Sequence, residues 1–558
     1  MDKLFLKNYL YFLPVFIFLS IFIYSSCGIK TETTKESFEH DVFNLEIASG
    51  SLNNSLDFSN PQKLKFSFGS SFTVFPNSSL EIAYTFNTIP SENIKKNYIL
   101  TLETDTHSWT LPMDLSFLGI NLTSGALIHY AIPVQNNFNG RFNITLTKKG
   151  SESITGSKPV LNIQSIQLVN QWYGFAQEGQ KYFASPFVSR RNNGSYAILT
   201  PNISPQAANY SFELAVSLKE GGQNAAVEID ARRFTAFASA DRIFIPSSLI
   251  RGRMPVIIFG DRISSFKLSH SPLGAFPIPI KADPGLVLDL PRESWRNSSW
   301  EIFKWDRFPS LLMLDTANYN IQNRLLKRLA FFVEKAGFRG TLPHDEEIAD
   351  LHGWNAHDYK AEDLARFFDA AKKANFPLLT EERVLESVLL NEGIIIKKGN
   401  DIVSGTGGIM SISRQTQSTL RRTFMAHEGF HGLFFIDEDF REFNKGRWEN
   451  FDETARTFFL AFLDFKIYDT ADEFLVLKEF KGHILQQPVA RIRGYFSRNL
   501  PSLLVDTEYS DALPPKDDLT NSWQVLADPF FMEGEAFSDY VNKRWGLAAG
   551  RVWTIAID

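Results

Sequence analysis

The period of the apolar residues changes partway along this chain, and that change constrains the fold more than any other feature. From Phe43 to about Val169, apolar and polar residues alternate in short runs such as LKFSFGSSFTV, LEIAYTF, YILTLET and GRFNITLTK, separated by Asn, Ser, Gly and Pro clusters. Alternation with period two puts one face of a strand in a core and the other in solvent, so this stretch predicts β structure. A second such stretch runs from about Asn170 to Ile280 through YSFELAVSL, AAVEIDAR, DRIFIPSSL and MPVIIFG. After the Pro-rich Phe276-Pro277-Ile278-Pro279-Ile280, and from Leu290-Pro291 onward, apolar residues recur every three or four positions, beginning with YNIQNRLLKRLAFFVEKAGF. That spacing predicts helices with one apolar face, among them AEDLARFFDAAKKANF, QSTLRRTFMAHEGFHGLFF and DEFLVLKEFKGHIL. The short run Gly407-Gly408-Ile409-Met410-Ser411-Ile412-Ser413 is an exception and reads as a strand.

The expected fold class is multidomain: two N-terminal all-β sandwich domains, at residues 41–169 and 170–280, then a mainly α domain at 290–558. The sandwiches resemble the jelly-roll kind found in carbohydrate-binding modules, which implies a glycan as a partner of the β domains. Against this, Trp109, Trp172 and Tyr173, the aromatic residues that would face a sugar, read more readily as core or turn residues.

At the N-terminus, Lys3 and Lys7 precede an apolar run from about Tyr9 to Tyr24 that ends in Ser25-Ser26-Cys27-Gly28. Small residues before a cysteine resemble the lipobox of bacterial lipoproteins, with Tyr24 departing from the usual aliphatic residue. The resemblance implies a signal peptide at 1–27, lipidation of Cys27, a polar tether at 28–40, and a lipid-anchored location on the extracytoplasmic side of the cell envelope. An uncleaved membrane anchor is the alternative. Cys27 is the only cysteine, so no disulfide forms within the chain and packed cores must supply its stability. A net charge of −6 without any long Lys/Arg run excludes the electrostatic footprint of a nucleic-acid binder.

The strongest chemical signal is His427-Glu428-Gly429-Phe430-His431. On a helix, histidines four residues apart project from one face on successive turns, and two imidazoles so placed can hold one zinc ion (Zn2+). Glu428, beside the first of them, is placed as general base toward a water that the metal acidifies. The pattern resembles the HExxH motif of the zincin metallopeptidases. Their arrangement of a strand followed by the motif helix, with an extended substrate paired to an edge strand, matches the run at 407–413. Phe434 and Asp437 stand where metzincins carry Gly and His, so the resemblance is to the gluzincins, whose third ligand is a glutamate from a later helix.

Three glutamates compete for that place. Glu479 lies among apolar residues, in a segment similar to an E-F-x-A-Y-L-L-Q pattern of some extracytoplasmic HExxH proteins, from which Gly482 and His483 depart. Glu535, in Glu535-Ala536-Phe537-Ser538-Asp539, resembles the E-x-x-x-D pattern of thermolysin-like and neprilysin-like enzymes. Glu453 follows Asp452, a good N-cap, and reads as an ordinary first-turn acid. A polar stretch, Leu351 to Tyr359, concentrates groups suited to a cleft, and His357 or Tyr359 would serve as the oxyanion donor. The expected function is zinc-dependent hydrolysis of peptide bonds in a peptide or protein substrate. The alternatives are a zinc hydrolase of another bond, or a surface-exposed binding lipoprotein or adhesin whose HExxH site is inactive or structural.

Overall fold

The computed structural model describes residues 55–557 apart from 60–62, 69–77, 106, 135–137, 151–157, 200–209, 222–223, 231, 248, 251–254, 273, 336, 352 and 514–518. The expected signal peptide, Cys27 and the tether lie outside the described residues, as does the start of the first β stretch.

The chain adopts the β-then-α layout that the change of period implies. A nine-stranded sheet runs in the order Ser55–Asp57, Val160–Asn170, Ser78–Phe86, Leu127–Pro133, Lys181–Ala184, Trp172–Glu178, Ile263–Pro272, Tyr210–Leu218 and Arg242–Ile245. Its pairings are antiparallel except for Leu127–Pro133 against Lys181–Ala184. The expected boundary between residues 169 and 170 therefore falls inside a sheet, and the two β stretches are joined rather than set in series. The physical reason is that alternation reports which face a residue occupies and carries nothing about which strand lies alongside. A four-stranded sheet (Lys63–Ser67, Arg141–Lys148, Tyr98–Thr104, Ser108–Thr110) serves the first half. A six-stranded sheet, running from Val188–Arg190 at one edge through Arg232–Ala236 to Ile555–Ile557 at the other, serves the second. Trp172 and Tyr173 are buried, and Trp109 packs edge-on against Phe187.

The C-terminal region contains more sheet than the single strand expected. Five strands lie in the order Ile280–Ala282, Trp300–Trp305, Leu311–Thr316, Gly408–Ser413 and His357–Lys360. Alternation divides their side chains between two cores. Leu312, Leu314 and Ile409 pack with the helices Tyr319–Val333, Ala361–Lys373 and Thr380–Asn391. Leu311, Met313, Met410 and Ile412 face the other way, toward Met425, Phe430 and Leu433 of the helix Ser418–Ile436. Gly408–Ser413 is an interior strand, paired on both sides, so it is not the edge strand that the zincin comparison suggested. The edge belongs to His357–Lys360, antiparallel to it.

The last strand, Ile555–Ile557, returns to the β region and pairs with Arg232–Ala236. Nearby, buried Asp283 accepts hydrogen bonds from the Thr554 amide (3.0 Å) and hydroxyl (2.8 Å) and from the Gly285 amide (2.8 Å). The described residues accordingly belong to one compact unit. Among the described residues, no helix is long and apolar enough to cross a membrane.

Candidate metal centre

Two helices that are buried on all sides position the site. Every residue from Met425 to Phe434 of the motif helix is buried, as is the run from Leu475 to Gly482 of the helix Glu473–Leu485. Asp472 caps the second helix by accepting from the Leu475 amide (3.2 Å). A helix hydrophobic all round belongs in an interior, and its few polar groups must then find partners there.

His427 and His431 stand on successive turns with ring centroids 4.2 Å apart. Glu479 faces them from the second helix, its Oε2 lying 3.4 Å from His427 Nε2. One ligand atom from each of the three lies within 4.8 Å of the others. His431 Nε2 and Glu479 Oε2 are buried and have no hydrogen-bond partner. Such an atom costs about 1–3 kcal/mol unless a cation or a polar group meets it. Gly482 leaves the room: a Cβ there would stand 2.9 Å from His427 Cε1 and closer still to His431 Nε2.

Behind the histidines lies a buried ionic chain. Asp358, from the edge strand, holds Oδ1 2.9 Å from His431 Nδ1, near enough for an ion pair although the angle falls short of a good hydrogen bond. Lys478 Nζ reaches both Asp358 oxygens (3.2 and 3.1 Å), Glu334 Oε1 (3.4 Å) and Glu479 Oε1 (3.5 Å). Trp354 Nε1 donates to the other Glu334 oxygen at 2.7 Å. Burial alone would raise the Asp358 and Glu479 carboxyls, but the Lys478 ammonium beside them and the neighbouring imidazoles hold both below the usual carboxylate range. Burial, reinforced by Asp358, pushes Glu428 well above that range. Burial also drives His431 and Lys481 well below their usual values, toward neutrality.

His427, Glu428 and Glu479 open onto a cleft of about 320 Å³. Trp354, Asn355 and His357 form part of its wall, and Phe424, Phe462, Tyr468 and His483 also line it. His357 Nδ1 lies 3.0 Å from Tyr359 Oη on its own strand.

The structure thus gathers His427, Glu428, Glu479 and His357 around one cleft, with His431 fully buried beside His427. Glu535 is not among them, because it is exposed on the outward face of the helix Leu519–Trp545. Its helical neighbour Glu533 is engaged by Arg447 (2.6 Å), while Asp539 faces Lys543 (3.8 Å) in solvent. Glu453 is an exposed first-turn residue behind the Asp452 cap. Asp358, Lys478 and Glu334 belong to no motif in the sequence, and His483 stands out there only as a departure from a pattern. For Lys478 a signal existed, since a lysine inside FLVLKEF has no solvated face to occupy. Set against known proteins, the chain matches no family model and no curated protein.

Proposed function

We propose that this chain is a zinc-dependent metallopeptidase of the gluzincin kind. His427, His431 and Glu479 hold the metal, and Glu428 is the general base. The observation that carries this reading is the convergence of two imidazoles and a carboxylate, with partnerless buried atoms, on a space that Gly482 keeps open. Their nitrogen and oxygen donors suit zinc in a catalytic site, which takes three protein ligands and keeps one position open.

A second grouping, Asp358, Glu428 and His431, is close enough to share an ion. It is the weaker candidate because Lys478 already engages Asp358. With Asp358 against Nδ1 of His431, Nε2 is the nitrogen that would hold a metal, as when an outer carboxylate orients a ligand histidine.

A bound zinc ion supplies Lewis acidity toward water and toward the scissile carbonyl. Glu428 takes the proton of the attacking water and passes it to the leaving amine, from its place in the cleft wall beside His427. Lipidated Cys27 would tether the enzyme at the envelope, outside the cytoplasm.

The test is metal analysis together with hydrolysis of internally quenched peptides by the full chain and by Glu428→Gln. One zinc per chain in both, with hydrolysis only in the wild type, is the expected result. Zinc without hydrolysis would favour a binding lipoprotein with a structural site, and no zinc in the folded, metal-replete chain would overturn the proposal.

A further inference from the structure

His483 lies one helical turn beyond Glu479 and lines the same cleft. Its ring meets that of His427 nearly at right angles, with centroids 5.1 Å apart. Its Nε2 stands 3.7 Å from Glu479 Oε2. What this imidazole can do depends on which nitrogen carries the proton, and its surroundings decide that.

Two groups meet Nδ1: the Tyr495 hydroxyl at 2.8 Å and the Gln486 amide nitrogen at 3.1 Å. An amide nitrogen only donates. The same Gln486 nitrogen also donates to Tyr495 Oη at 2.8 Å, which leaves the tyrosine's own proton for His483. Both neighbours of Nδ1 are therefore donors, so Nδ1 accepts and the proton resides on Nε2. A protonated Nε2 has no lone pair for a metal, which excludes His483 as a fourth ligand in this tautomer. What remains is an N–H donor, held by two side chains, beside the carboxylate of the proposed metal site.

We propose that His483 is the hydrogen-bond donor that stabilises the oxyanion formed at the scissile carbonyl. The inference rests on the peptidase reading and deepens it. As the water oxygen bonds to the carbonyl carbon, the C=O π pair moves onto the carbonyl oxygen. Nε2–H donates to that oxygen and keeps its proton, and the charge returns to the C=O bond when the amine leaves. The donor is preorganised because Tyr495 and Gln486 fix the ring before substrate arrives. His357 shares the cleft wall, with Nδ1 3.0 Å from Tyr359 Oη on its own strand.

The experiment compares the full zinc-loaded chain with His483→Phe, His483→Gln and His357→Phe on an internally quenched peptide that the wild type cleaves. Zinc affinity is measured by chelator competition alongside. His483→Phe should lose kcat by about 100-fold or more with KM and zinc affinity nearly unchanged. His483→Gln, which keeps a donor, should recover part of that loss. The histidine 15N–1H spectrum of the wild type should show His483 protonated at Nε2, a readout that survives even if His483→Phe fails to fold. Zinc lost together with activity in His483→Phe, a proton on Nδ1, or a larger kcat loss in His357→Phe than in His483→Phe would each overturn the inference. A wild type that binds no zinc, or hydrolysis that persists in Glu428→Gln, would sink the peptidase reading and this inference with it. Zinc-dependent hydrolysis that needs Glu428 but leaves His483→Phe at full kcat would sink this inference alone.

Discussion

Replacing Gly482 with alanine should abolish tight binding of the proposed zinc while leaving the fold largely intact. The added Cβ would stand 2.9 Å from His427 Cε1 and nearer to His431 Nε2, whereas non-bonded atoms of this kind rest at roughly 3.5 Å or more. At least one imidazole must therefore retreat by about 0.5 Å or more, although zinc–ligand distances hold to about 0.2 Å. Neither side can yield cheaply, because His431 is fully buried and the residues around Gly482 are buried too. Zinc affinity should fall by about 100-fold or more, equivalent to about 2.7 kcal/mol, and overpacking should destabilise the metal-free chain by about 1–3 kcal/mol. Competition against a chromogenic chelator reads the first quantity and thermal denaturation of the metal-free protein reads the second. Gly446→Ala is the control: it lies in the helix Glu438–Glu449, where a Cβ meets nothing within 4 Å. That change should stabilise by up to about 1 kcal/mol and leave zinc binding alone. A Gly482→Ala chain that binds zinc as tightly as the wild type would refute the placement of the metal between these helices.

The other predictions use the same assays. Glu479→Ala should deplete zinc, while Glu535→Ala and Glu453→Ala should leave one zinc per chain and change stability by less than about 0.5 kcal/mol, as exposed sites do; metal analysis of the three variants decides, and zinc lost from Glu535→Ala would reverse the ligand assignment. Lys478→Met should destabilise the metal-free chain by about 3–5 kcal/mol, since it leaves Asp358 and Glu334 buried without their cation; an unchanged melting temperature would count against that ionic chain. Burial, and then neighbouring Asp306, raises Asp283 to about 7. Between its unfolded value of 3.8 and about 7 the folded state holds the extra proton, so this group's contribution to stability falls as pH rises through that window. Asp283→Asn lacks the effect, so its melting temperature relative to wild type should climb between pH 5 and pH 7.5, roughly the span of that window; a difference that stays constant or falls would refute the assignment.

What the sequence disclosed and what it withheld separate along the chain distance of the interactions. The change of apolar period near residue 280 is local, and so is the spacing of His427 and His431, which one helix satisfies by itself. Glu479 was conspicuous for a local reason as well, because an acid flanked by Phe480 and Leu477 has no solvated face. Strand partners are not local: neither the pairing of Leu127–Pro133 with Lys181–Ala184 nor the return of Ile555–Ile557 leaves a mark on the residues involved. Asp358 stayed hidden for the same reason, since its value lies in reaching His431 and Lys478 from an edge strand far upstream. The local and distant parts meet in the charge balance of the core. Glu334, Asp358, Glu428 and Glu479 are buried together, with Lys478 as the cation among them. Lys481, also buried, is driven toward neutrality and spends its hydrogen bond on the Lys478 carbonyl. Acids held in a low-dielectric interior repel one another unless protons or cations intervene. A divalent cation between His427, His431 and Glu479 would offset part of that excess, which adds a structural reason for the proposed metal to the chemical one.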